Sequence, residues 1–177
     1  MPGFNIEGAW AEGPSNVQEL RRKHRWTFTI AAVDAADQNR ATLYLQKATR
    51  PMVKFEEVEM HHDQERAYYA GRTEWDPITL EFYDAEQPID TSNFVYEWVN
   101  RVSDIMAVTV AEPGGGDGYK KDSTLEMYNG VGEVNEAWTM FGCWPQETNW
   151  NDLDYSVSDI AMCTVKMRFD RAFRGSI

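Results

Sequence analysis

The stretch Glu136-Ala137-Trp138-Thr139-Met140-Phe141-Gly142-Cys143-Trp144-Pro145 decides the fold class. From Glu136 to Trp144 it alternates with a period of two, the spacing at which successive side chains leave opposite faces of a strand. Counted in this way, Trp138, Met140 and Trp144 share one face, and Ala137, Thr139, Phe141 and Cys143 share the other. Downstream, residues 158–169 read as the longest strand, with Ile160, Met162, Thr164, Lys166 and Arg168 opposing Ala161, Cys163, Val165, Met167 and Phe169. Upstream, Ser123-Thr124-Leu125-Glu126-Met127-Tyr128 is another strand, and it runs into a turn containing Asn129-Gly130 and Gly132.

The same period recurs toward the N-terminus. Arg25-Trp26-Thr27-Phe28-Thr29-Ile30 sets Trp26, Phe28 and Ile30 on one side, and residues 41–46 follow after a polar turn. Pro51 opens a β-prone acidic run over residues 52–60 whose alternation slips near Glu56-Glu57, which predicts a bulge or an exposed edge. After His61-His62-Asp63-Gln64-Glu65, residues 66–71 return as the second limb of a long hairpin. Ile78-Thr79-Leu80-Glu81-Phe82-Tyr83 then alternates cleanly, with Ile78, Leu80 and Phe82 inward. One segment breaks the pattern. Phe94, Val95, Trp98, Val99, Val102, Ile105 and Met106 form the stripe of a single amphipathic helix at about residues 92–106, which Asp90, Thr91 or Ser92 can cap. No βαβ rhythm exists. The expected fold is mainly β: an antiparallel sandwich or barrel of about eight strands, one flanking helix and a long protruding hairpin. Residues 1–20 read as an irregular arm with Phe4 and Trp10 as apolar anchors, and residues 21–177 as a single domain.

Composition narrows the function. The chain has 177 residues and a net charge of −12, from 29 acidic and 17 basic residues. Gripping nucleic acid needs clustered Lys and Arg, so this balance argues against it. Cys143 and Cys163 are too few for a disulfide framework, which fits synthesis in a reducing cytoplasm. The first residues lack the pattern of a signal peptide, and no apolar run reaches the ~18 residues of a membrane span. Catalytic patterns are absent from the sequence: there is no GxSxG, no HExxH and no His near either Cys. His61-His62-Asp63 could offer metal ligands, but neighbours in an extended segment point to opposite faces. The glycines of residues 114–118 are spaced wrongly for a phosphate loop. No catalysis, metal or cofactor is expected. What remains is a protein with surplus strand edges, and such edges are templates for pairing with other chains.

Residues 136–145, followed by Trp150-Asn151-Asp152-Leu153-Asp154-Tyr155-Ser156 and the strand through Val165, resemble the C-terminal half of tail tube proteins of contractile-tailed bacteriophages. In that family a strand leads to a Trp-Pro corner, here Trp144-Pro145, then to a Leu-Asp-Tyr-Ser turn, here residues 153–156. Residues 72–80 resemble the family's entry to the strand before the helix, and Tyr96-Glu97-Trp98-Val99-Asn100 its helix. The resemblance spans about residues 24–170, with Trp98, Trp138, Trp144, Pro145, Leu153 and Tyr155 as its core and motif positions.

The resemblance implies a structural virion protein whose hexameric rings stack into an inner tube, with strands of neighbouring subunits joining into one channel-lining barrel. It implies sheath, baseplate or tube initiator, and tail terminator as partners, DNA passing the lumen without specific binding, and no membrane. The family's inter-ring contacts map here to residues 52–72 and 1–16, which nominates Phe4, Trp10, His61, His62, Tyr68 and Tyr69. Strand-borne Glu56, Glu57, Glu59, Glu81 and Glu126 are the expected lumen carboxylates, where they would repel phosphates. A tube initiator of the same fold, the inner tube of a bacterial contractile injection system and a small ligand-binding β-sandwich are the alternatives.

Overall fold

The computed structural model describes residues 21–30, 44–63, 65–86, 90–107, 109–113, 118–156 and 158–175. The expected arm at 1–20, with Phe4 and Trp10, and most of the glycine-rich loop lie outside the described residues. The strands are β1 (Trp26–Ile30), β2 (Leu45–Ala48), β3 (Val53–His62), β4 (Glu65–Trp75), β5 (Ile78–Tyr83), β6 (Ser103–Asp104), β7 (Thr109–Val110), β8 (Lys121–Tyr128), β9 (Val134–Asn149), β10 (Met162–Arg168) and β11 (Arg171–Gly175). The helix, α1, spans Thr91–Val102, between β5 and β6.

Seven strands form one antiparallel sheet in the order β1-β8-β9-β10-β5-β2, with β11 also paired to β9. Strand β9, at 16 residues, joins the two halves of this sheet. Its first part pairs with β8 on one side and with β11 on the other, through Phe141↔Arg171 to Ala137↔Gly175. Its second part pairs with β10 from Trp144↔Arg168 to Asn149↔Thr164. The change of partner falls at Gly142, whose φ is 66°. Only glycine enters this region without strain, and a Cβ here would also collide with the Asp170 carboxylate. The Gly142 N–H donates to Asp122 Oδ1 (3.1 Å), and the Asp170 N–H donates to Phe141 O (2.9 Å). Both chains crossing the corner are therefore tied at the same point.

This kink corrects two sequence expectations. Met140 and Cys143 were counted on opposite faces, but both are buried in the core, because the turn at Gly142 shifts the side-chain phase. Trp144-Pro145 does not end the strand. Pro145 is buried inside β9 opposite Met167, beside a register shift between Lys166 and Met167, where a strand tolerates a residue with no N–H. Strand β10 is also shorter than residues 158–169 and is not the longest; Ile160 precedes it and is exposed. Of the set Ala161, Cys163, Val165, Met167 and Phe169, the last four are buried, and Ala161, which precedes the strand, is exposed.

These residues meet Phe28 and Ile30 of β1, Ile78, Leu80 and Phe82 of β5, and Leu125 of β8 in one core. Helix α1 closes it with Phe94, Val95 and Trp98, each large side chain contributing about 1.5–3 kcal/mol on burial. Asp90 caps the helix by accepting the Asn93 N–H at 2.9 Å. The helix stops at Val102, short of the expected residue 106, because Ser103 turns extended and pairs with Val110. Ile105 and Met106 consequently leave the stripe and face solvent.

Replacing Gly142 with Ala should destabilise the domain by about 2 kcal/mol, since left-handed backbone and a displaced Asp170 are both imposed. Denaturant midpoints of unassembled protein measure this.

Candidate functional site

Strands β3 and β4 pair only with each other among the described residues and stand off the main sheet as a ribbon. At its foot Trp75 packs on the core with its ring 5.8 Å from that of Phe169, and the Asp76 N–H donates to Met52 O (3.0 Å). The register shifts between Phe55 and Glu57, a bulge at the predicted slip. Gly71 lies across from it, where a Cβ would come within 2.9 Å of Glu56 O. The extra residue lies on β4, so β3 alternates without interruption through the bulge. Directly opposed residues share a face. Beyond the bulge, Val58/Tyr69, Met60/Ala67 and His62/Glu65 occupy one side, and Glu57/Ala70, Glu59/Tyr68 and His61/Arg66 occupy the other; nearer the foot, Lys54/Glu74 falls on the side of Val58, and Val53/Trp75 and Phe55/Thr73 fall on the side of Glu57.

Beyond the bulge the first side is largely apolar and exposed: Val58, Met60 and Tyr69 are each at least 50% exposed. The second face is charged, with Glu59 paired to Arg66 (3.4 Å) and to His61 (3.5 Å). Tyr69 and His62 thus lie on the apolar side, and Tyr68 and His61 on the charged side. Among the expected lumen carboxylates, Glu57 and Glu59 are on the charged face and Glu56 is at the bulge. Glu81 of β5 is held by Lys47 at 2.5 Å, and Glu126 of β8 accepts the Tyr128 hydroxyl at 2.7 Å.

Motif residues fall into separate environments. Trp98 is core, Trp138 donates its indole N–H to Glu136 Oε1 (2.6 Å), and Trp144 stacks edge-on with Tyr119 at 6.2 Å. Leu153 and Tyr155 lie outside the core on the surface, where Asp154 Oδ1 accepts the Ser156 N–H and hydroxyl at 2.8 and 2.7 Å. Sequence reasoning missed Glu136. Its side chain is 4% exposed and bonded to Arg21 at 2.5 Å, with Arg174 at 3.7 Å. Burial raises its pKa, but the Trp138 bond and the charges of Arg50, Arg21 and Arg174 outweigh that and hold it below the ordinary value. An acidic residue at an inward position of an apolar strand was the available signal.

Cys143 and Cys163 are buried free thiols, pushed up to about 12 and about 11 by desolvation. Among the described residues no group of three or more His, Cys, Asp or Glu is placed to hold a metal, and no helix is long and apolar enough to cross a membrane.

The sequence model of the T4-like virus tail tube protein gp19 family matches residues 23–172. The chain belongs to that family. The tail tube protein of Serratia phage KSP90 is 25% identical over 146 residues, covering 79% of this chain and 80% of the relative. In fold, this tail tube protein is similar to a chain of the sheath–tube complex of the extracellular contractile injection system PVC, with a TM-score of 0.66, 15% identity and coverage of 99% and 100%. It is likewise similar to the tube terminating cap of the anti-feeding prophage, with a TM-score of 0.67, 19% identity and coverage of 91% and 94%. As a member of its family the chain is a structural subunit of a contractile tail's inner tube, a virion component and not an enzyme.

Two outcomes follow. Glu136→Gln should cost about 1–2 kcal/mol, since half-exposed guanidiniums remain partly hydrated. Because the folded pKa is depressed, the stabilisation is present above the unfolded value near ~4.3 and is lost as pH falls through the folded one. Thermal unfolding of the variant should therefore lose pH dependence in that acid range. Native protein should resist iodoacetamide at pH 8, with both thiols reacting only after unfolding; mass spectrometry reads the adducts.

Proposed function

We propose that this tail tube protein assembles as hexameric rings stacked into a tube, with the apolar face of the β3–β4 ribbon covered by a neighbouring copy in the adjacent ring and the charged face left to water. The carrying observation is the ribbon itself. A two-stranded hairpin is marginal in water on its own, and the outer part of this one exposes Val58, Met60 and Tyr69 together on one side. A second copy supplies the missing layer. Tyr69 and His62 meet that copy directly, and Tyr68 and His61 flank the contact. Residues 21–177 act as one domain, and Phe4 and Trp10 of the 1–20 arm add to the same contacts between rings.

Covering the apolar side leaves Glu57 and Glu59 on the opposite face, toward the channel, with Glu56 at the bulge. Glu81 and Glu126 complete the lumen set, although Lys47 offsets the charge of Glu81. DNA phosphates passing such a wall are repelled and do not adhere, and with a Debye length of ~8 Å the effect acts near the wall. Sheath, baseplate initiator and terminator join the tube from outside and at its ends, and the subunit is synthesised in the host cytoplasm. The membership of the tail tube family and the net charge of −12 both support this reading.

Negative-stain microscopy of the purified protein should show hollow tubes with sixfold end views. Val58→Glu with Met60→Glu should abolish them while leaving a folded subunit by circular dichroism. Reversing Glu56, Glu57 and Glu59 to Lys should leave tubes intact and slow DNA ejection several-fold. Ejection at the normal rate through intact tubes would remove the carboxylates from the lumen.

A further inference from the structure

We propose that successive copies join head to tail by seating the β9–β10 loop of one copy in the basic cleft between β1 and β2 of the next; this rests on the tube-subunit reading above. The loop exposes large apolar side chains that no other described part of the chain covers. Leu153, Tyr155 and Ile160 are 87%, 111% and 70% exposed. Asp152, Asp154 and Asp159 are interleaved with them, and no Lys or Arg occurs from residue 145 to 165. Its shape is specified. Asn151, at φ 55°, donates its side-chain amide to Met162 O (2.6 Å), and Asp154 closes the turn onto Ser156. Between these residues lies a hollow of about 510 Å³. Exposed apolar side chains held in a fixed geometry point to a protein partner.

The complementary surface is on the same chain. Strands β1 and β2 end the seven-stranded sheet, and a cleft of about 640 Å³ lies between them. Arg21, Lys23, Lys47 and Arg50 line it above a floor that includes Trp26, Ala48, Leu125 and Met127. Arg21 and Lys47 already hold Glu136 and Glu81. Lys23 and Arg50 have no carboxylate within ion-pair distance among the described residues, and Arg50 instead contacts the Met127 thioether. In a chain of −12, this convergence of cations around an apolar floor matches a loop of carboxylates around Leu and Tyr. The two surfaces share no residue. Each copy therefore offers one donor and one acceptor, a heterologous contact that propagates into rings or filaments instead of closing on itself.

Two exposed double variants test this. Asp152→Lys with Asp154→Lys makes the loop basic, and Lys23→Glu with Arg50→Glu makes the cleft acidic. Each alone opposes like charges, and tube yield by sedimentation and microscopy should fall at least ~tenfold, with the far-ultraviolet spectrum still that of the folded subunit at the assay temperature. Mixed one to one, every contact is again complementary: the basic loop meets the acidic cleft, and the remaining loop and cleft are native. Assembly should return. The proposal is overturned if either folded variant alone forms tubes like the wild type, including the case where only sheath binding is lost. It is equally overturned if the mixture fails to recover. Wild-type protein that forms no tubes at all would instead count against the tube-subunit reading.

Discussion

One glycine in one strand organises this subunit. Strand β9 runs for 16 residues, and its two ends belong to different parts of the sheet. At the point where β9 passes from β11 to β10, its backbone leaves the extended region at Gly142, with φ 66°, a conformation open to glycine. Strands β10 and β11 follow the same bend in reverse, with Asp170 at their junction bonded to Phe141 O. Lys120 adds ion pairs of 2.8 and 2.9 Å to the Asp170 carboxylate. Because the corner is tied from both sides, the apolar residues on either side of it converge on one core, and helix α1 has a fixed surface to close.

That core also explains what the rest of the chain can leave uncovered. The β3–β4 ribbon and the β9–β10 loop contribute little to it, yet both have defined shapes: the ribbon through its bulge and the Trp75–Phe169 contact, the loop through Asn151 and Asp154. Both expose apolar side chains in a strongly acidic protein. For a monomer this is a liability. For a tube subunit, stability of the single chain and stability of the assembly are divided between different surfaces.

Several features were legible beforehand because they depend on neighbours along the chain. The clean alternation of residues 78–83 became β5 with Ile78, Leu80 and Phe82 buried, Asp90 caps the helix, and the phase slip at Glu56-Glu57 is a bulge. The failures have a common cause. Alternation across Gly142 could not be counted through a backbone reversal, so Met140 and Cys143 were set on opposite faces. The helical stripe extended through Ile105 and Met106, but pairing of Ser103 with Val110 ended the helix first. The role of Glu136 was not legible in the sequence, because its partners Arg21 and Arg174 lie far away along the chain.

By itself the sequence determined a mainly β domain with one helix, the absence of catalytic patterns, the acidic balance and the likeness to tail tube proteins. These follow from local periodicity, residue type and the order of motifs, none of which requires knowing what lies across space. The tertiary structure alone decided which residues oppose one another. It separated the ribbon beyond its bulge into an apolar and a charged side, buried Glu136 among guanidiniums, and brought Lys23 and Arg50 to the cleft between β1 and β2. Those outcomes are set by strand register and by contacts between distant segments, where a shift of one residue exchanges every inward side chain for an outward one.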